Sequence, residues 1–406
     1  MSSSYIACAR DGMFVNCCLL LIVVTVWSID PRLEKFRTAQ RVEDREGTMY
    51  APNLFSMTEM TPQGNYTLKT LIHVGLFSSV FTVVETKNVL IKYQCDCDDP
   101  GSLHPLLRDA WFTQMANDYG VPTAQIFYVS SPTKFPRTGS TRKIPFRMNR
   151  REWNYCANAK GRIRYMIIER LTGETVLQLK DRVYGGEMMN FTQALRILDT
   201  VFDLLQTLHS NGIVHGDIHG RNVMLATDKI VGSTRVYLID YERAFFDDSS
   251  RSNERVNRVG SWTHELTSPW QIMGLPWGMR DDVYRSLDMF ARLINSPGWA
   301  AHVKTLTDSG YENLHQWRTQ TFLFDSPYGR DDPFNPSALH VSPEVAASVK
   351  EKMISLLGIV LELDDVNTIP PFDTMRKLIN ETTQLILVGG PVRTGTLVVK
   401  NEEDGD

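Results

Sequence analysis

Ile213-Val-His-Gly-Asp217-Ile-His219-Gly-Arg-Asn222-Val-Met-Leu225 is followed, after a short gap, by Val236-Tyr-Leu-Ile-Asp240-Tyr-Glu242. An Asp and an Asn five apart, then an Asp at the end of an apolar strand, form the set that phosphoryl transfer from ATP needs. One carboxylate orients the attacking hydroxyl. The Asn amide and the second carboxylate hold magnesium on the phosphates. The competing reading is two ordinary turns with solvated acids and a capped strand end. An isolated His-x-Asp would not separate the two. The apolar run on each side of the constellation favours the first.

Composition sets the frame around this stretch. A chain of 406 residues exceeds one compact core and suits a two-lobed enzyme with additions. Hydrophobic content of 42% and charged content of 22% are ordinary for a soluble globular protein. A net charge of −4 gives no argument for nucleic acid or for an acidic substrate, and no nucleic-acid partner is expected. The six cysteines are sparse. Cys8, Cys17 and Cys18 lie in or beside an N-terminal apolar segment, which leaves Cys95, Cys97 and Cys156 for the body. That is no disulfide framework. Cys95-Asp-Cys97-Asp98-Asp99 has no second Cys or His pair at zinc spacing and reads as a surface turn.

Working outward, strands come first and helices afterwards. Thr67–Val74, Val80–Glu85 and Val89–Tyr93 read as strands, the last two joined by the turn Thr86-Lys-Asn88. His104–Tyr119 has helical spacing and stops at Gly120-Val-Pro122. Gln125–Val129 and Arg164–Ile168 are two more apolar strands. Phe191–Asn211 carries Ala194, Ile197, Leu198, Val201, Phe202, Leu205 and Leu208 on one face. Ser342–Leu363 and Phe372–Val388 read as further helices. This order is α+β. Between the two later strands, 130–161 breaks the rhythm with Pro132, Pro136, Gly139 and Pro145. From Lys134 to Arg164 the only acid is Glu152 among ten Lys or Arg. The bland reading is a solvated loop. The sharper one is a docking surface, 134–164, for an acidic or phosphorylated partner or for anionic lipid.

The two quoted loops closely resemble those of the protein-kinase-like superfamily, and the resemblance runs from about Tyr66 to Ile386. It implies a two-lobed protein-kinase-like fold over 65–390. A small, mainly β lobe would cover 65–170, with 130–161 inserted, and a large, mainly α lobe 171–390. It also implies ATP and Mg2+. Asp217 becomes the catalytic base or hydroxyl-orienting group, and Asn222 and Asp240 the metal ligands. Lys92, in Val89-Leu-Ile-Lys92, matches the strand lysine that contacts the α and β phosphates. Asp109 stands where its helix partner should be, although the family prefers Glu. The phosphate-covering loop would be His73-Val-Gly75-Leu-Phe-Ser78-Ser-Val80, in which only the middle of three glycines, Gly75, survives. Met166 to Leu171, with Glu169 and Leu171, would be the hinge that holds adenine.

Departures from the pattern point to different branches. Gly216 replaces the arginine that reads a phosphate on the activation segment, so switching through that arginine cannot operate. His219 and Asp240-Tyr-Glu242 look like the aminoglycoside, choline and fructosamine kinases, which act on small molecules. Against this, Thr267-Ser-Pro-Trp270 resembles a degenerate Ala-Pro-Glu signature, and Met279-Arg-Asp-Asp282 resembles the helix of casein-kinase-type protein kinases. There the second Asp, Asp282 here, anchors the catalytic loop. A protein serine/threonine kinase is the leading expectation. A small-molecule kinase and a catalytically silent scaffold are the alternatives.

Both ends stand outside this body. In 1–30, the run Met13–Ile29 is apolar and uncharged, at the short end for a membrane span. Arg32, Lys35, Arg37 and Arg41 follow it. The expectation is a single-pass membrane anchor with a cytosolic kinase domain, against a cleaved signal peptide and a secreted or lumenal body. Sequons at Asn65, Asn190 and Asn380 are no more than chance supplies. Residues 31–64 read as a linker and 391–406 as an acidic tail.

Overall fold

The computed structural model describes residues 68–74, 78–83, 86–95, 105–130, 133–134, 162–185, 188–228, 232–247, 268, 270, 275–294, 333–363 and 368–389. The apolar segment 13–29, the linker, Gly75, most of the basic insertion and the acidic tail lie outside the described residues.

The small lobe grows from strand alternation. Strands β1 (Leu68–Val74), β2 (Ser78–Val83) and β3 (Val89–Cys95) form an antiparallel meander. They are continued by β6 (Arg162–Glu169) and β4 (Ile126–Val129), with the two-residue β5 (Thr133–Lys134) on the side of β6. Successive side chains point to opposite faces. Val83, Val89, Ile91, Phe127 and Ile167 therefore cluster on one face. Val80, Lys92 and Met166, which are direct cross-strand partners, share the other. Helix α1 (Pro105–Asp118) packs near β4 and β6, burying Leu106, Leu107, Ala110 and Trp111. It ends at Gly120, whose φ of 84° needs a residue without Cβ.

A short connection, Arg170 to Thr172, leads from β6 to β7 (Gly173–Thr175). Gly173 lies so close to β9 (Val223–Thr227) that an added Cβ would stand 2.0 Å from the Leu225 carbonyl. Helix α2 (Val176–Tyr184) starts on a capping box, in which Thr175 accepts the Gln178 amide and Gln178 accepts that of Thr175.

The large-lobe core is built on α3 (Phe191–Ser210), whose apolar stripe is buried along its length. It packs against α4 (Met279–Leu293) and α7 (Phe372–Gly389), and α6 (Pro343–Leu361) lies against α7. The one-turn α5 (Pro336–Leu339) precedes α6. Leu198, Leu205 and Leu208 are fully buried, so cutting any one to Ala would cost about 2–5 kcal/mol. Three small strand pairings carry the loops: β8 (Ile213–Val214) with β11 (Phe245–Phe246), and β9 (Val223–Thr227) with β10 (Thr234–Leu238) and β7.

The architecture is the two-lobed, kinase-like α+β arrangement. One expectation is corrected. Among the described residues no helix is long and apolar enough to cross a membrane, and the single-pass anchor is withdrawn.

Candidate active site

Lys92 projects from β3 into the space between the lobes. Its Nζ lies 2.7 Å from Asp109 Oδ2 on α1 and 2.6 Å from Asp240 Oδ1 after β10. Glu242 Oε2 stands 3.9 Å away. Burial opposes the charge on this lysine. Asp109, Asp240 and Glu242 outweigh it and hold the ammonium well above the usual lysine range. Asp109 reaches Lys92 despite its short side chain and also binds backbone: its Oδ1 accepts the Tyr241 amide at 2.7 Å. One carboxylate thus joins strand, helix and the loop after β10. Asp240 itself has φ 69°, uncommon outside glycine but tolerated by Asp.

The loop after β8 is held from below. Asp282 is fully buried on α4 and accepts the amides of His215 (2.7 Å) and Gly216 (2.8 Å). His209 Nε2 lies 3.2 Å from the same carboxylate. The His215 ring packs on Tyr241 at 4.5 Å, and its Nδ1 accepts the Asp217 amide at 3.3 Å. Burial lowers the His215 pKa, so this imidazole is neutral. Gly216 has φ 76°, and a Cβ there would meet the Arg243 carbonyl at 2.8 Å. No arginine fits at this position.

Asp217 is nearly buried and ringed by donors. Arg285 Nη1 lies 3.0 Å from Oδ1. Around Oδ2 stand Asn222 Nδ2 (3.3 Å), His219 Nε2 (3.6 Å) and Arg243 Nε (3.7 Å). Burial works to raise this carboxyl, but the contact with His219 and the charges of Arg285 and Arg243 hold it well below the usual range. It is ionised at any working pH. Asn222 also donates to the Asp217 carbonyl at 2.9 Å, which fixes the five-residue loop on itself.

The donor set suits a hard cation. Asn222, Asp240 and Glu242 offer oxygen ligands, as Mg2+ prefers. Glu242 Oε2 is buried without a hydrogen-bond partner, and burial with the neighbouring Asp240 pushes its carboxyl up to about 7. Among the described residues no three His, Cys, Asp or Glu side chains are grouped to hold a metal ion, and Lys92 stands against Asp240 and near Glu242. At the expected hinge, Met166 to Glu169 belong to β6. The Glu169 amide donates to Gln125 and that of Arg170 to Asn88, each at 2.8 Å. Val80 lies beside Lys92 on the cleft face.

The structure therefore brings Lys92, Asp109, Asp217, Asn222 and Asp240 together. Val80 lies beside Lys92 on the same sheet face, Glu169 ends β6, and Leu171 lies in the connection to β7. Glu242, Tyr241 and Arg285 were not singled out as site residues from sequence. Glu242 had a signal, its place two after Asp240. Arg285 had none, since its contact spans 68 residues.

Comparison with known proteins follows the same line. Residues 156–257 match the model of the lipopolysaccharide kinase (Kdo/WaaP) family. A probable serine/threonine-protein kinase of Clostridium acetobutylicum is 30% identical over 134 residues, 32% of this chain and 18% of that protein. The serine/threonine-protein kinase PknB of Mycobacterium tuberculosis is 25% identical over 181 residues, 44% of this chain and 25% of its own. A probable bifunctional tRNA threonylcarbamoyladenosine biosynthesis protein of Methanosarcina acetivorans is 36% identical over 72 residues, 18% of this chain and 12% of its own. The chain spans a quarter or less of the length of these relatives. The likeness to kinases agrees with the fold and falls on the segment that holds the two loops.

Proposed function

We propose that this chain is an ATP-dependent phosphotransferase that moves the γ-phosphate of ATP to a protein serine or threonine hydroxyl. The observation that carries the reading is the meeting of Lys92, Asp217, Asn222 and Asp240, drawn from both lobes, at one site. In it, Lys92 would hold the α and β phosphates. Val80, with the segment at Glu169 and Leu171, would hold the adenine. Asp217 orients the acceptor hydroxyl. A phosphoryl group in a loose transition state needs little proton abstraction, so a weakly basic, well-held carboxylate suits that task. Asn222 and Asp240, with Glu242 beside them, would hold magnesium, which neutralises charge on the phosphates when bound.

The likeness to serine/threonine-protein kinases of Clostridium and Mycobacterium supports a protein acceptor. So does the Arg280-Asp281-Asp282 start of α4. A second reading, a small-molecule or saccharide hydroxyl, is favoured by the lipopolysaccharide kinase match and by His219 and Glu242. A silent scaffold is disfavoured because none of the four side chains is missing.

The test is transfer from γ-labelled ATP by the full chain to mixed protein substrates and to a panel of sugars and small alcohols. Label in protein supports the first reading, and label only in small molecules the second. Asp240→Ala should lower either activity about a hundredfold or more. Unchanged transfer in that variant would remove the assignment.

A further inference from the structure

Helix α4 grips the catalytic loop twice. Asp282 takes two of its amides from below. One turn on, Arg285 is buried, 2% exposed, on the same face of the helix, as i and i+3 residues are. Its Nη1 lies 3.1 Å from the Gly216 carbonyl and 3.0 Å from Asp217 Oδ1. The guanidinium is flanked by Trp277, whose ring centre is 6.0 Å away. A single buried cation thus bonds both the backbone and the side chain of the segment that carries Asp217. It leaves Oδ2 as the carboxylate edge facing Asn222, His219 and Arg243.

The neighbouring positions explain why the cation comes from here. Gly216 cannot carry a side chain, since its φ is 76° and the Arg243 carbonyl fills the place of a Cβ. His219 and Arg243 stay beyond hydrogen-bond reach of Asp217, at 3.6 and 3.7 Å. Among the basic side chains around this carboxylate, Arg285 makes the short contact. An arginine is also the suitable donor: its rigid fork stays charged and spans two acceptors where a lysine offers a mobile point.

We propose that Arg285 is a positioning residue for phosphoryl transfer: it locks Asp217 in one rotamer, so that Oδ2 alone is presented to the acceptor hydroxyl. This rests on the phosphotransfer reading above. Without the lock the carboxylate rotates, and the hydroxyl loses its in-line placement. Misplacement by about 1 Å is enough to cost on the order of a hundredfold in rate. Nucleotide binding, which uses Lys92 and the small lobe, is untouched.

The experiment uses the full chain with magnesium ATP and water as the acceptor, so that no natural substrate is needed. Wild type, Arg285→Met, Arg285→Lys and Asp217→Asn are compared for kcat, KM for ATP and the thermal shift produced by ADP. Arg285→Met should lose about 10- to 100-fold in kcat, with KM and the ADP shift within about twofold of wild type. Arg285→Lys should recover part of the loss, and Asp217→Asn should be at least as impaired as Arg285→Met. An Arg285→Met protein with wild-type kcat beside an inactive Asp217→Asn overturns the positioning role and leaves the phosphotransfer reading standing. Equal loss of kcat and of the ADP shift, with no gain from lysine, makes Arg285 a structural residue and also overturns it. No turnover by wild type, or full turnover by Asp217→Asn, removes the phosphotransfer reading, and the role of Arg285 falls with it.

Discussion

Replacing Asp282 by Asn tests whether the catalytic loop hangs on one carboxylate. The side chain is fully buried and accepts the amides of His215 at 2.7 Å and Gly216 at 2.8 Å. Asn keeps the volume and one oxygen. Its NH2 group then faces the second amide, donor against donor. One buried N–H loses its partner, a cost of about 1–3 kcal/mol. The remaining bond changes from charge-assisted to neutral, worth roughly 1 kcal/mol more. Contact with His209, at 3.2 Å, weakens as well. The sum is about 2–5 kcal/mol, which for a domain of this size lowers Tm by roughly 5–15 °C. Urea denaturation followed by tryptophan fluorescence measures the first figure, and a thermal melt the second. Phosphate transfer should fall further than stability alone explains, because residues 215–217 lose their anchor. A variant that melts within 2 °C of wild type, an interval of roughly half a kcal/mol, would refute the claim that these amides depend on Asp282.

Other perturbations probe other parts of the site. Lys92→Met should cut phosphate transfer about a hundredfold or more, read with labelled ATP, because the phosphates lose their fixed cation. Gly216→Ala should destabilise by about 1–2 kcal/mol from its left-handed backbone alone, and shift the Arg243 carbonyl besides, which denaturation and activity together would detect. Asp281 is fully buried, and burial pushes its carboxyl up to about 6, against hydrogen bonds from Ser268 and the Gly278 amide. A raised carboxyl gives its full stability below its unfolded pKa of 3.8 and loses it as pH rises through 6. The loss is on the order of 3 kcal/mol at about 1.4 kcal/mol per pKa unit. Asp281→Asn should flatten that part of the stability curve between pH 4 and 7, as denaturation across the range would record. Phosphatase treatment of the active protein should leave activity in place, since Gly216 cannot read a phosphate. Loss of most activity, traced to a phosphosite between Arg243 and Thr267, would contradict this.

The elements that bury a regular stripe were legible. The spacing of Ala194, Ile197, Val201, Leu205 and Leu208 marks α3 almost to its ends, and Val89-Leu-Ile-Lys92 marks β3 with its lysine facing the cleft. Asp217, Asn222 and Asp240 were legible because their spacing is local. The rest depends on tertiary approach. That Asp109 would bond the Tyr241 amide, 132 residues away, has no trace in composition or periodicity. Nor does the reach of Arg285 to Asp217. Helix α2, which opens on the capping box of Thr175 and Gln178, is a different case: at nine residues it is too short for its period to mark it in the sequence. Trp270 in place of an expected Glu finds its reason only in space, where Arg280 lies 4.9 Å over its ring. The apolar N-terminal run lies outside the described residues. Length and hydropathy suggested a membrane pass, yet no described helix has the character to make one.

The two-point grip of α4 has a consequence for how the chain is made. Asp282 and Arg285 lie 67 and 68 residues beyond the groups they hold at His215 and Asp217. On a ribosome, residues 213–242 emerge well before α4 does. Until then the amides of His215 and Gly216 have only water to bond, and Asp217 has no fixed rotamer. The closing of that loop carries an entropic cost that helix burial must repay. A nascent or truncated chain ending before 282 thus contains Asp217, Asn222 and Asp240 without the contacts from α4 that anchor their loop. On the phosphotransfer reading, an unfinished chain that lacks α4 holds Asp217 unanchored and should transfer little phosphate.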